Sequence, residues 1–414
     1  MKIINDSELL HIIHNTLNEI DERLIDHGFR VAYLLREMMI QDGSYSEEEI
    51  RDMSMVAILH DIGAYKTDEI DAMLGFESRH IWKHAVYGYL FLKYLSPLKQ
   101  LSSVVLYHHV PFQDYGLYDI PYPKLTQMLH LVDHCDLYLI RKEKFPDDFH
   151  DRLSTEEYDP ELTALLKKTV QKSNVVEVIT HEHHENRLME ELHFNEQEIL
   201  QYISLISYSI DFQSKHMVAH TITTTSISKT LGTLLKLSDI QIQKLMYGAL
   251  LHDIGKVATP VSILEKPGRL TASEMKIMRE HVTHSIHILK GTMDNEIVQI
   301  AVRHHEKLNG KGYPYGLSEK DLTLEQRILA VADIFSALSG KRSYKEAFDK
   351  QQMMHILYQM ADEGAIDSTI VDICHEHFHT IMENIETDCI PLLSTYHHIE
   401  YEYEHILQVI GKKG

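Results

Sequence analysis

The heptapeptide LLHDIGK at residues 250–256 has a near copy, ILHDIGA, at residues 58–64. A short match of this kind decides little alone, but the residues around both copies follow one order. The first half of the chain carries His27, His60, Asp61, His84, His108, His109 and Asp133. The second half carries His220, His252, Asp253, His281, His304, His305 and Asp333. Corresponding residues stand from 192 positions apart, at His60 and His252, to 200 apart, at Asp133 and Asp333. A repeat that long is a whole domain with small loop insertions, not a solenoid unit.

Between these anchors the apolar residues recur at three- and four-residue intervals, as in Ile203, Ile206 and Ile210 or Leu231, Leu234 and Leu235. That is the helical period, and alternating strand-like runs are scarce. The few prolines cluster between helical stretches, Pro121 with Pro123 and Pro260 with Pro267. The expected fold is all-α, with tandem helical bundles over 1–150 and 201–382 joined by a helical connector over 151–200. The connector is rich in Lys and Glu, and its HEHHEN run at 181–186 reads as a solvated helix face. Residues 383–414 read as one more amphipathic helix with a Lys-rich tip, suited to packing or to forming a homodimer.

Composition limits the function. At 414 residues, two domains are the better expectation. The formal charge of −22 argues against DNA or RNA as a partner, since phosphate backbones need a basic face. A small anionic nucleotide held by local cations remains compatible with it. Cys135, Cys374 and Cys389 are too few and too far apart for a disulfide framework or a cysteine-based zinc site. The first twenty residues lack the continuous apolar core of a signal peptide, and no run reaches the ~18 residues of a membrane span. A cytoplasmic protein with no membrane attachment is expected.

The repeated His and Asp residues suit metal chemistry. Hydrolysing a phosphodiester requires an activated water and neutralised phosphoryl charge, which two or three divalent ions supply. Such a site needs neutral imidazoles and a carboxylate able to bridge ions, presented from several helices. A single His is far more often a core or surface residue than a ligand. Seven positions in one order, twice in one chain, are a different matter. Mixed nitrogen and oxygen donors favour iron or manganese, with zinc, nickel or cobalt as alternatives, over magnesium or calcium.

Residues 216–345 resemble the HD-GYP branch of the HD phosphohydrolase superfamily. The resemblance rests on LLHDIGKVATPVSILEKPGRLTASEM, HHEKLNGKGYP and RILAVADIFSALSGKRSYKEA. It implies an HD-type bundle of five to seven helices and hydrolysis of a cyclic dinucleotide, cyclic di-GMP or the mixed GMP–AMP species. It further implies metal ligation by His220, His252, Asp253, His281, His304, His305 and Asp333, with Asp253 also catalytic. Lys256 matches the lysine that contacts the scissile phosphate, and Arg342 and Lys345 match a second phosphate clamp. Tyr313, in the Gly312-Tyr313-Pro314 loop, could pack on a guanine. Glu306 and Asp253 are the nearest groups for proton handling.

Several positions depart from the pattern. His216 stands where three-metal members carry Glu, a place from which it could hold a third ion. Asn309 and Ser336 stand where Asp is usual, Ser285 where Gly is frequent and Ser343 where Pro is common. The first repeat keeps every matched ligand type but has Ala64 in place of Lys256, HHVPFQDYG in place of the GYP loop, and Phe145 near the Lys345 position. Three readings stay open for it: a regulatory or dimerising module, a second hydrolase, and a metal or ligand sensor. A non-catalytic effector is the competing reading for the whole chain.

Overall fold

Each HD dipeptide closes a helix that opens on the same signal. In the computed structural model Glu47–Leu59 starts at Ser46, whose hydroxyl accepts from the Glu49 amide while Glu49 accepts from the Ser46 amide. Asp239–Leu251 starts on the same reciprocal box between Ser238 and Gln241. Such a cap satisfies backbone donors that the first turn leaves open, and contributes about 1 kcal/mol. The two helices end at His60 and His252. The histidine and following aspartate therefore leave the helix end together in both repeats.

The structure describes residues 2–21, 25–64, 67, 82–142, 153–172, 174–180, 184–212, 219–266, 268–340 and 348–410, with backbone only at 137–142, 172 and 180. These are helical throughout their regular elements. The described residues contain no strand, only one isolated bridge between Asn309 and Ser318. Among them no helix is long and apolar enough to cross a membrane.

The chain divides into two compact units. One comprises Met1–Ile20 and Ile206–His397. Here His220–Leu234 packs against Asp239–Leu251 and Leu324–Ser339. Ile227, Leu231, Leu245, Ile328 and Phe335 form their fully buried seam. Burying each such side chain contributes roughly 1.5–3 kcal/mol. Ala272–Leu289, the helix that carries His281, lies on the short 3-10 turn Ile254–Ala258 that follows the HD pair. Gly255 makes that approach feasible, since a Cβ there would run into the His281 carbonyl and the Ser285 amide. Ser285 turns the contact polar: its hydroxyl accepts from the Gly255 amide at 2.9 Å.

The other unit comprises Asp21–Leu205 and His398–Gly414. His27–Asp42 lies at its centre, against Glu47–Leu59 and Pro123–Lys142. Pro160–Lys172 and His184–Glu191 also pack on it. The 151–200 stretch is thus part of this bundle, with Leu162, Leu166 and Leu188 buried. His184 of the HEHHEN run is only 1% exposed, against the expectation of a solvated face. Residues 181–183 of that run lie outside the described residues.

Both chain ends depart from the sequence-based domain edges. Asp6–Asn18 packs on Ala272–Leu289, with Asn15 donating to the Ile288 carbonyl at 2.9 Å and His284 paired to Glu19 at 2.8 Å. Beyond His397 the last helix, Phe378–Ile410, meets the first repeat: Tyr403 stacks on Tyr87 at 3.9 Å and Glu402 pairs with Lys93 at 2.8 Å. An amphipathic face states that it must be covered, not by which distant helix.

Candidate metal centre

In the second repeat the seven expected residues converge. His220 opens its helix, His252 and Asp253 follow a helix end, and Asp333 lies within Leu324–Ser339. His304 and His305 follow the short helix Asn295–Val302. The Asp253 carboxylate sits between two groups of imidazoles. Its Oδ2 is 3.5 Å from His220 Nε2 and 3.2 Å from His252 Nε2. Its Oδ1 is 3.4 Å from His281 Nε2 and 3.9 Å from His304 Nε2. Asp333 adds Oδ1 at 3.1 Å from His220 Nε2 and Oδ2 at 3.7 Å from His305 Nδ1. One carboxylate with each oxygen facing a different set of nitrogens is what two neighbouring cations require.

The protonation pattern agrees with ligation. His252, His281 and His304 each place Nδ1 against the carbonyl three residues earlier: Ala249 at 2.7 Å, Met278 at 2.6 Å and Ala301 at 2.6 Å. An Nδ1–H donated to a carbonyl leaves the lone pair on Nε2, the usual arrangement of a metal-bound imidazole. The buried Nε2 atoms of His281 and His304 have no hydrogen-bond partner among the described residues. Buried polar groups are rarely left so, which fits residues built around cations.

Electrostatics point the same way. Burial pushes His281 down to about 4 and His304 well below its ordinary value, so both are neutral at pH 7. Burial alone would raise Asp253, but His252, Lys256 and His281 outweigh it and hold the carboxyl well below the usual range. Asp333 is likewise held far down, with His220 as its main partner. Burial keeps His281 and His304 neutral while Asp253 and Asp333 raise His252, so the carboxylates supply the negative charge that would draw divalent ions.

Lys256 rests its ammonium on Asp253 Oδ2. Arg342, Lys345 and His216 lie outside the described residues, as does Phe145 of the first repeat. The Tyr313 ring is engaged by His305, at 4.7 Å between centroids, and by the Arg279 guanidinium at 4.9 Å. It therefore supports a ligand histidine, and Arg279 adds a cation that the motifs did not mark. Glu306, one of the groups expected for proton handling, is engaged by the loop backbone. It is 3% exposed, and its two oxygens accept from the Tyr315 amide at 2.6 Å and the Leu317 amide at 2.9 Å, clamping the GYP loop. Asn309 ties the same loop down by donating to the Glu363 carbonyl at 3.0 Å. One further group went unseen in the sequence: Asp211, 1% exposed, accepts from the Thr221 amide at 3.2 Å beside the site.

The first repeat reproduces this geometry. His27 Nε2 is 3.2 Å from Asp133 and 3.7 Å from Asp61; His60 Nε2 is 3.4 Å from Asp61 and 3.7 Å from Asp133. His84 and His108 lie 3.6 and 3.8 Å from Asp61 Oδ1. His60 and His108 again place Nδ1 on the carbonyl three residues earlier, at 2.7 and 2.5 Å. Their Nε2 atoms and Asp61 Oδ1 are buried without hydrogen-bond partners among the described residues. His109 Nε2 approaches His84 Nε2 at 3.0 Å. At the Lys256 position stands Ala64, 1% exposed, so no ammonium enters from there.

Comparison with known proteins agrees with the fold. HD-domain models match residues 204–370 and 24–138, so the chain is a tandem HD-domain protein. The relatives it matches are named as phosphodiesterases of cyclic dinucleotides. It is 28% identical to 3′3′-cGAMP-specific phosphodiesterase 1 of Vibrio cholerae, over 89% of this chain and 91% of that protein. It is 35% identical to the cyclic di-GMP phosphodiesterase response regulator RpfG of Xanthomonas campestris, over 45% of this chain and 51% of that protein. The crystal structure of a cyclic GMP-AMP specific phosphodiesterase of Vibrio cholerae, V-cGAP3, shares the fold over 89% of this chain and 96% of its own, with a TM-score of 0.57 at 18% identity.

Proposed function

We propose that the second repeat is a metal-dependent phosphodiesterase that hydrolyses a 3′,5′-linked cyclic dinucleotide to its linear form. The observation that carries this reading is the Asp253 carboxylate, whose two oxygens divide four imidazole Nε2 atoms into two sets. His220, His252 and Asp333 would hold one divalent ion and His281, His304 and His305 another, with Asp253 shared. Iron or manganese suits these donors best. Bound there, such ions acidify water and neutralise phosphoryl charge. Lys256, which rests on Asp253 Oδ2, would be the ammonium placed for a non-bridging phosphate oxygen. Arg342 and Lys345 would take the second phosphate, and Tyr313 keeps His305 oriented.

Two substrates compete. Cyclic di-GMP is the substrate named for RpfG, a relative matched over less than half of this chain. The relative matched across nearly the whole chain is named for 3′3′-cGAMP, which favours the mixed dinucleotide as the second reading. Purified full-length protein, loaded anaerobically with Fe²⁺ or Mn²⁺, is incubated with each dinucleotide and the products are chromatographed. Linear product from wild type and none from Asp253→Asn is expected. Saturable binding with no product under any metal would replace this reading by the non-catalytic effector.

A further inference from the structure

The first repeat holds a histidine cluster that the second lacks. His130 and His134 flank Asp133 on the helix Pro123–Lys142, and both are buried. Ring nitrogens of His109, His130 and His134 lie within 4.8 Å of one another. The matching positions around Asp333 are Ala330 and Ile334. The HD architecture therefore does not need these imidazoles.

His130 follows the rule seen at the candidate ligands: it places Nδ1 on the His108 carbonyl at 2.7 Å, so its Nε2 carries the lone pair in the neutral ring. That Nε2 lies 2.9 Å from Glu157 Oε1. Two acceptors at this distance need a cation or a proton between them. His134 Nδ1 pairs with the Tyr158 hydroxyl at 2.7 Å, which orients its ring. His109 Nδ1 is buried with no hydrogen-bond partner among the described residues. Glu157 is itself held in place. The backbone amides of Phe112 and Gln113 donate to the carbonyls of Glu157 and Glu156, both at 2.9 Å, which pins the 154–158 stretch to the loop after His109.

We infer that His109, His130, His134 and Glu157 form a further metal site in the first repeat, one that adjoins the HD ladder and shares His109 with it. Three imidazoles and one carboxylate are a donor set for a tetrahedral zinc-type ion. Tyr158 orients His134, and the His108 carbonyl orients His130, as outer-shell partners do. The site rests on no assumption about turnover at the second repeat.

The test uses full-length protein stripped by chelator, reloaded with Zn²⁺, desalted, and assayed for zinc per chain by mass spectrometry. The background variant is Asp61→Asn, which removes the shared carboxylate of the first HD ladder. Adding His130→Ala and His134→Ile installs the residues that the second repeat tolerates at the same places. One zinc fewer per chain is expected on adding the pair, with helical circular dichroism unchanged. An equal zinc count in the two well-folded proteins overturns the site. Should the pair impair folding, Glu157→Gln decides: roughly tenfold weaker zinc retention in chelator competition is expected, and unchanged retention overturns it.

Discussion

His27 donates from Nδ1 to Oδ2 of Asp136 at 2.8 Å, and this bond sets which nitrogen of His27 faces the cluster. Arg30 completes the relay with two contacts to the same carboxylate, at 2.6 and 3.0 Å. The second repeat has Ser336 at the Asp136 position and Thr223 at the Arg30 position. Ser336 Oγ lies 3.1 Å from His220 Nδ1 and donates to the His220 carbonyl at 3.3 Å, so it selects the same tautomer without a charge. The two HD centres differ here in the basicity they confer on their first histidine.

Ser336→Asp therefore makes His220 a stronger ligand, because a carboxylate behind Nδ1 raises the electron density at Nε2. Metal retention by the second repeat should rise about tenfold, read by chelator competition. The metal-free chain should lose stability, since no arginine stands at Thr223 to balance the new charge. Unchanged or weaker metal retention would contradict the relay.

Glu306→Gln separates a clamp from a proton carrier. The amide can accept from only one of the two loop N–H groups, at a cost of about 1–3 kcal/mol. KM for the dinucleotide should rise as the loop loosens, while the pH profile of kcat keeps its shape. A lost ionisation in that profile would return Glu306 to proton transfer.

Gly312→Ala tests the loop's approach to the ligand pair. A Cβ at Gly312 would strike the backbone at Glu306 and Lys307, directly after His304-His305. Overpacking of this kind costs about 1–3 kcal/mol. Hydrolysis should fall with helicity and metal content preserved; a fully active variant would show that the loop is not packed as described.

Asp211→Asn should stabilise the metal-free protein near neutral pH. Burial lifts the Asp211 carboxyl to about 6, against the pull of His220 and the Thr221 amide. A folded value above the unfolded one means that folding favours the protonated form. The penalty is absent below about pH 4, grows as pH rises toward 6, and is flat above, at about 3 kcal/mol. The melting temperature of the variant should exceed wild type at pH 7.5, and the gap should close as pH falls toward 4. A pH-independent gap would refute the assignment.

Much of the site was legible because it is carried by short-range order. The HD dipeptides and the order of the fourteen histidines and aspartates lie within local segments or repeat at nearly fixed spacing. The roles of Glu306 and Asp211 were not legible. A buried carboxylate clamping two amides and one poised beside a cluster have the same residue type, and only their partners distinguish them.

What the sequence determined by itself was the repeat, the helical class and the candidate ligand ladders, since periodicity and spacing are properties of neighbours along the chain. Tertiary structure decided the rest. It placed Asp6–Asn18 against Ala272–Leu289, and brought Tyr403 onto Tyr87. It also gathered His109, His130, His134 and Glu157 from a turn, a helix and a folded-back segment. Those outcomes depend on which apolar faces cover one another across long stretches of chain. That is a competition among burials, and no single segment encodes its result.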